Sequence, residues 1–316
     1  RDMNFSPDFK ASMETFLPNY QKIKDEPEVN GVITVDTKVL TDLLTVLGPI
    51  EVPGYGKFNL DPDKRCFDIP QIICELEYIA DMPIAGTKLA RKDILGPMMQ
   101  ELILKAMGSP KNIWPKLFET ILKDIEEKHI LFYFTNKDTQ KAAEIFGAAG
   151  RIKEYQGDYL HINDANLGGA KSNLFIKEEI EKEVIKDNNG NLITTLNIIY
   201  SNPVPMSDCN LERKSGLCLN GILRDYVRVY VPKGSKLIEG LGSEEKFQTG
   251  EEFGKTYFSG FFTLRGGGGK AKIILRYELP SEINLEKEYK VLIQKQPGTL
   301  GHNVKIKVNG KEEEFE

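Results

Sequence analysis

Three polar clusters carry residue types able to hold or move charge. The first is Arg1-Asp2-Met3-Asn4-Phe5-Ser6-Pro7-Asp8, directly ahead of an apolar run with helical spacing. A helix N-terminus presents unsatisfied N–H groups and partial positive charge. Arg1 and Asn4 with those N–H groups therefore form a candidate anion site. Asp2 and Asp8 are candidate catalytic carboxylates or ligands for a divalent cation such as Mg²⁺. The simpler expectation is that Asp and Ser here only cap the helix. The second cluster is Lys88, Arg91 and Lys92, leading into another helix. Cations at that end oppose the helix dipole, an unfavourable placement that a bound anion would relieve. Arg91 offers a planar fork suited to paired phosphate oxygens; the simpler expectation is a solvated basic turn. The third cluster is NDANLGGAKSN, Asn163 to Asn173. Its glycines permit close backbone approach, and Asn166, Lys171 and Asn173 offer polar contacts at an expected domain junction, where clefts are frequent. An Asx-rich loop is the competing expectation.

Other motifs fail on their own chemistry. Gly266 to Lys270 (GGGGK) lacks the Ser or Thr of a phosphate loop and lies between two strand patterns, so it predicts a hairpin. Asp187 to Asn191 (DNNGN) lacks the closing Glu of a calcium loop and predicts a second hairpin. There is no Gly-x-Ser-x-Gly elbow, and none of His129, His161 and His302 stands in a motif with a nucleophile. Four cysteines form two close pairs without a CxxC, which with so few histidines argues against a zinc site. Cys209 and Cys218 flank a short polar loop and are expected within bridging distance, while Cys74, in a helical pattern, is expected to be a small buried residue.

The elements that would position these groups change character along the chain. Its 316 residues suggest two domains, and 40% hydrophobic against 28% charged residues supports a core in each. The first half alternates helix and strand. Helical stripes follow Ser6-Pro7-Asp8, run over Thr37 to Leu47, begin at an apparent capping box Asp68-x-x-Gln71, and recur over Asp93–Met107, Pro115–Lys128 and Lys137–Phe146. Strand patterns cover GVITV and HILFYF, so a sheet covered by helices is expected. From residue 157 on, strand-like runs recur between turns: 159–163, 175–186, 191–201, 225–231, 255–265, 270–279, 290–294 and 304–308. These predict an all-β antiparallel sandwich of immunoglobulin-like kind over 157–316 after an α/β domain over 1–156. A helix longer than three turns between Asn191 and Val308 would oppose this.

Lys+Arg 42 against Asp+Glu 47 gives a net charge of −5, which argues against nonspecific nucleic-acid binding and against adsorption to anionic lipid. No apolar run approaches the roughly 20 residues of a spanning helix. The chain begins Arg1-Asp2 without Met or signal peptide and reads as a fragment or processed form.

The runs RDMNFSPDF, VNGVITVDTKVLTDLLTVLGPIEVPGYG, ARKDIL, NDANLGGAKSN, DYVRVYVPKGS and LIQKQPGTLGH, in this order, resemble the bacterial family catalogued as domain of unknown function 4012. That resemblance implies an envelope protein with a membrane anchor upstream of Arg1 and an extracytoplasmic portion, which this chain would represent. The stretches GVITVDTKVLTDLLTVLGPIEV and LARKDILGPMMQELILKAM are, more distantly, similar to LytR–CpsA–Psr transferases, with Arg91 in the place of that family's Arg and Lys92 in that of its Gln. This likeness implies transfer of a glycopolymer from a polyprenyl-pyrophosphate carrier to peptidoglycan. Arg91, Lys88 and Arg1 would then neutralise the pyrophosphate, with Asp2 or Asp8 holding Mg²⁺ or acting as base. The alternative is a noncatalytic surface module for adhesion or assembly.

Overall fold

The structure, a computed structural model, describes residues 3–23, 27–81, 93–210, 212, 216–284 and 289–315. The chain forms two compact units: Arg1–Arg151 with Asp208–Leu219, and Ile152–Ser207 with Asn220–Glu316.

The first unit is helix-rich. Its elements run α1 (Phe9–Tyr20), β1 (Gly31–Val35), α2 (Thr37–Leu47), β2 (Ile50–Val52), β3 (Gly56–Phe58), β4 (Pro62–Asp63), β5 (Ile69–Pro70), α3 (Gln71–Asp81), α4 (Leu95–Met107), α5 (Trp114–Glu126), β6 (Ile130–Phe134) and α6 (Lys137–Ile145). Apolar spacing sets α2: Val39, Leu40, Leu44 and Leu47 are buried, the Asp36 carboxylate caps its start by accepting from Lys38 N–H, and Gly48, at φ 75°, ends it. The core gathers Leu44, Val52, Phe58, Ile72, Met98, Leu102 and Leu117, with a satellite of Phe9, Met13 and Leu17 against Leu131 and Tyr133. The expected helix-covered sheet is reduced, among the described residues, to two-stranded ribbons. β1 pairs antiparallel with β6, while β2–β3 and β4–β5, two or three residues each, close on themselves as local hairpins.

Two local expectations are corrected. Asp68 stands at φ 65°, in the left-handed region, so it cannot be the extended N-cap that a capping box requires. Gln71 instead uses its side chain to bridge β3, accepting from Asn59 N–H and donating to the Lys57 carbonyl. Cys74 is buried but not idle: it is disulfide-bonded to Cys66, whose Cα is 5.7 Å away. Cys209 and Cys218 also form a disulfide, at a Cα separation of 4.6 Å. Their segment belongs to the helix-rich unit, where Cys218 N–H donates to Asp81 at 3.1 Å.

The second unit is strand-rich: β7 (Asp158–Asn166), β8 (Lys177–Lys186), β9 (Leu192–Asn202), β10 (Leu223–Pro232), β11 (Lys236–Leu241), β12 (Gln248–Glu252), β13 (Lys255–Leu264), β14 (Gly269–Glu278), β15 (Val291–Ile293), β16 (Asn303–Val308) and β17 (Lys311–Phe315). One sheet has the order β12-β13-β10-β7-β15 and the other β11-β14-β9-β8-β16-β17. Both feed one hydrophobic core, with Leu160, Val227, Val229 and Phe258 from the first and Ile180, Leu196, Ile198 and Leu275 from the second. The expectation of a wholly antiparallel arrangement is corrected, because β15 runs parallel to β7 and β16 parallel to β8. The described residues between Asn191 and Val308 contain no α-helix. The glycine run joins β13 to β14 with Gly267 and Gly268 at positive φ, and Asp187 organises the β8–β9 turn by accepting from Asn189 and Asn191 N–H.

Both disulfides close loops of eight or nine residues. The chain-entropy argument assigns such a loop about 2–3 kcal/mol. Replacing Cys66 and Cys74 by Ser should lower the unfolding free energy of the helix-rich unit by about that amount, measured by denaturant titration beside the intact protein.

Candidate functional site

The register of the five-stranded sheet builds a groove on its outer face. Along β10, Leu223, Val227, Val229 and Val231 belong to the core, so the alternate residues face away from it. Arg224 pairs across the ladder with Thr263 of β13, and Tyr226 with Phe261. Ile222, Arg224, Glu244, Phe261, Thr263 and Arg265 line an open concavity of about 340 Å³. Glu244 is held at its rim by its own N–H donating to the Phe261 carbonyl at 2.7 Å. Arg224 and Arg265 are exposed, and neither forms an ion pair among the described residues. Two guanidinium groups beside an aromatic ring form a surface that accepts carboxylate or phosphate oxygens and stacks on a flat apolar face.

The third sequence cluster adjoins this groove. Asn166, at the end of β7, folds the following loop on itself. Its amide nitrogen donates to Ala170 O and to the side chains of Ser172 and Asn173, at 2.9, 3.3 and 2.7 Å, and its oxygen accepts from Gly168 N–H. Leu167 N–H donates to Arg224 O at 2.7 Å. A Cβ added to Gly168 would stand 3.1 Å from Ile222 O and 3.4 Å from Arg224 Cβ. A side chain there would be tight, because the loop lies directly on the segment that carries Ile222 and Arg224. Lys171 and Asn173 are exposed at its surface.

The other two clusters are distributed differently. Asn4 is exposed in the turn before α1. Asp8 is buried and its carboxylate is committed: one oxygen caps α1 by accepting from Ala11 N–H at 3.1 Å, and the other accepts from Arg151 Nε at 2.8 Å. That donor set suits a cap and an ion pair rather than a cation ligand. Arg1, Asp2, Lys88, Arg91 and Lys92 lie outside the described residues. Among the described residues no group of three or more His, Cys, Asp or Glu is placed to hold a metal ion.

Sequence reading missed an acid cluster inside the strand-rich unit. Asp164 of β7, Glu178 of β8 and Asp225 of β10 come together, with Tyr200 donating to Asp164 at 2.9 Å. His302 Nδ1 stands 3.1 Å from Glu178, out of line for a hydrogen bond. Gln296 clasps Asp164 from the main chain, accepting from its N–H and donating to its carbonyl. The LIQKQPGTLGH run thus delivers Gln296 and His302 to one end of the core. Burial, then the neighbouring Asp225 and Glu178 charges, push the Asp164 carboxyl well above the usual carboxylate range. Burial pushes Asp225 up to about 7. The pair therefore retains a proton that free carboxylates would lose. In the helix-rich unit a smaller counterpart exists: Asp124, buried beside Asp42, is raised to about 6, and His129 Nδ1 contacts Asp36 at 2.6 Å.

Residues 1–64, about a fifth of the chain, match a family model described as Protein of unknown function (DUF4012). No curated protein and no solved structure matches the chain.

A raised carboxyl pKa stabilises the fold below the unfolded value, about 4, and that contribution is lost as pH rises through the folded value. The thermal midpoint of the strand-rich unit should therefore fall between about pH 5 and pH 8. Asp225→Asn, which stays uncharged, should flatten that slope. An unaltered slope in Asp225→Asn would refute the assignment.

Proposed function

We propose that this chain is a noncatalytic, extracytoplasmic binding protein of the bacterial envelope, and that its strand-rich unit holds an anionic, phosphate-linked glycopolymer at the Arg224–Arg265 groove. The observation that carries this reading is the pair of exposed arginines, without ion-pair partners among the described residues, that line one concavity with Phe261 and Thr263. A shallow, open site suits a polymer that continues past it at both ends better than a small substrate that must be enclosed. Two disulfides favour an oxidising compartment. The resemblance of the chain's runs to the DUF4012 family, whose model matches residues 1–64, implies the same placement. Two sheets on one core are what an immunoglobulin-like sandwich would offer as a rigid support. In its wider form the proposal gives the helix-rich unit a polyprenyl-pyrophosphate carrier, held by Arg1, Lys88 and Arg91, as the LytR–CpsA–Psr likeness implies. Among the described residues no helix is long and apolar enough to cross a membrane.

Binding of poly(glycerol phosphate) by the full chain, followed by calorimetry at low salt, tests the groove. Arg224→Ala with Arg265→Ala should weaken it at least about tenfold, or ~1.4 kcal/mol, and leave the thermal midpoint unchanged because both side chains are exposed. Added salt should weaken the wild-type interaction, and neutral dextran should not bind. Equal binding by the double variant would remove the groove from the function.

A second reading, an assembly module, draws on a different surface. α4 exposes Leu95, Met99, Ile103, Leu104 and Met107, and α5 exposes Phe118 and Leu122. Water-facing apolar stripes on successive helices are a recognised mark of docking. If they mediate self-assembly, light scattering should show an oligomer that Met99→Glu with Leu104→Glu reduces to monomer. A monomer at all concentrations would leave only the binding reading.

A further inference from the structure

At the end of β7 remote from Asp164, the core holds a charged pair with no access to water. Lys182 of β8 and Asp158 of β7 are fully buried, with Nζ 2.8 Å from Oδ2. Leu160, Ile180, Val184 and Leu196 belong to the same core. The two residues sit in different sheets, Asp158 in the five-stranded one and Lys182 in the six-stranded one. Among the described residues, the other side-chain and main-chain groups bonded to the pair's charged ends are neutral. Tyr159 N–H donates to Asp158 Oδ1 at 2.7 Å, Tyr289 O–H donates to Oδ2, and Lys182 donates to the Tyr277 hydroxyl at 2.9 Å.

We propose that Lys182 and Asp158 react with each other to form an intramolecular amide that ties the two large sheets together through their shared core.

Five features of the site support the reaction. An amine and a carboxyl held in contact need no encounter step, and effective molarities for such pairs reach about 10⁵ M or more. Both oxygens of the carboxyl already accept hydrogen bonds, so charge developing on them during attack meets preorganised donors. Desolvation makes the ionised pair costly and brings the neutral amine–acid pair, the reactive form, closer in energy. Burial works against the Lys182 ammonium, but Asp158 and Tyr277 together more than offset it and hold the lysine charged, and a single proton shift along the 2.8 Å contact generates the nucleophile. Finally, the dry surroundings that hold the pair leave little water to hydrolyse the product.

The step balances within the pair. One ammonium proton passes to Oδ2. The Nζ lone pair attacks Cγ, and the carbonyl electrons move onto Oδ1, where the Tyr159 N–H stabilises them. The Cγ–Oδ2 bond then breaks as the Oδ1 electrons return, and Oδ2 leaves as water with two of the three original ammonium protons. The third stays on the amide nitrogen. Nothing is oxidised or reduced. Tyr289, donating to Oδ2, assists its departure, and the Tyr277 hydroxyl keeps Nζ aimed at the carboxyl.

Intact-mass spectrometry of the full chain after disulfide reduction tests this directly. The expected mass is one water below that of the sequence, and peptide mapping should yield one branched peptide joining Asp158 to Lys182. Asp158→Asn should give a product of the same cross-linked mass, because ammonia leaves in place of water. Lys182→Arg should give the full unlinked mass whether or not it folds, since the reading is taken on denatured protein. A wild-type chain of full mass that trypsin cleaves after Lys182 would overturn the proposal, and so would a water loss mapped to any other residue.

Discussion

Strand β7 is flanked by neighbours on both edges and faces the core, yet it carries Asp158, His161 and Asp164 inward or into the sheet. A polar group taken from water without a partner costs several kcal/mol at most sites, and much of the strand-rich unit is arranged to supply partners. Parallel strand β15 brings Gln294, whose carbonyl meets His161 Nδ1 at 2.9 Å and whose side-chain oxygen accepts from Tyr159 and from Lys153 N–H. Gln296 continues the line to Asp164. Burial lowers His161 to about 4, so it stays neutral and holds that carbonyl without adding a charge. The parallel pairing that departs from a simple antiparallel scheme is thus tied to how β7 is satisfied.

The same demand divides the interior into regions of different character. One end concentrates carboxyls that share protons, and the other holds a single ion pair among phenols. Between them lie Leu160, Ile162, Val227 and Val229, which separate the two by apolar packing. Conservative replacements in that band would be felt as volume changes, whereas replacements at either end would be felt as lost partners. The groove is separate again, being built from outward residues of β10 and β13 together with Ile222, Glu244 and Arg265 beside them.

Apolar rhythm made most of the elements readable in advance. The stripe Val39, Leu40, Leu44 and Leu47 predicts α2, and the alternation through LITTLNIIYSN predicts β9. β11, β12 and β17 were missed. QTGEE and KEEEF have the composition of solvated loops, and they become strands only because edge positions tolerate charge and need one paired side. Among the site residues, the loop around Asn166 stood out locally by its glycines and amides. Arg224 and Arg265 give no such signal, since one is a polar position in an alternating strand and the other follows directly on the end of one. Their meeting depends on the β10–β13 register, which is non-local. The grouping of Asp164, Glu178 and Asp225 is hidden for the same reason: three strands from two sheets contribute one carboxyl each.

Residues 208–219 leave the strand-rich unit after β9, join the helix-rich one, and return before β10. The backbone therefore passes between the units three times, at 151/152, 207/208 and 219/220. This has a consequence for biosynthesis. The helix-rich unit is encoded first but cannot be completed until Leu219 has left the ribosome, by which point β7, β8 and β9 are already outside and unpaired with β10. Early folding of the amino-terminal portion must tolerate a vacancy where Cys218 later meets Asp81, and closure of the Cys209–Cys218 loop falls late in the order of events. Any gene truncation placed at the apparent boundary would separate the helix-rich unit from a piece of itself.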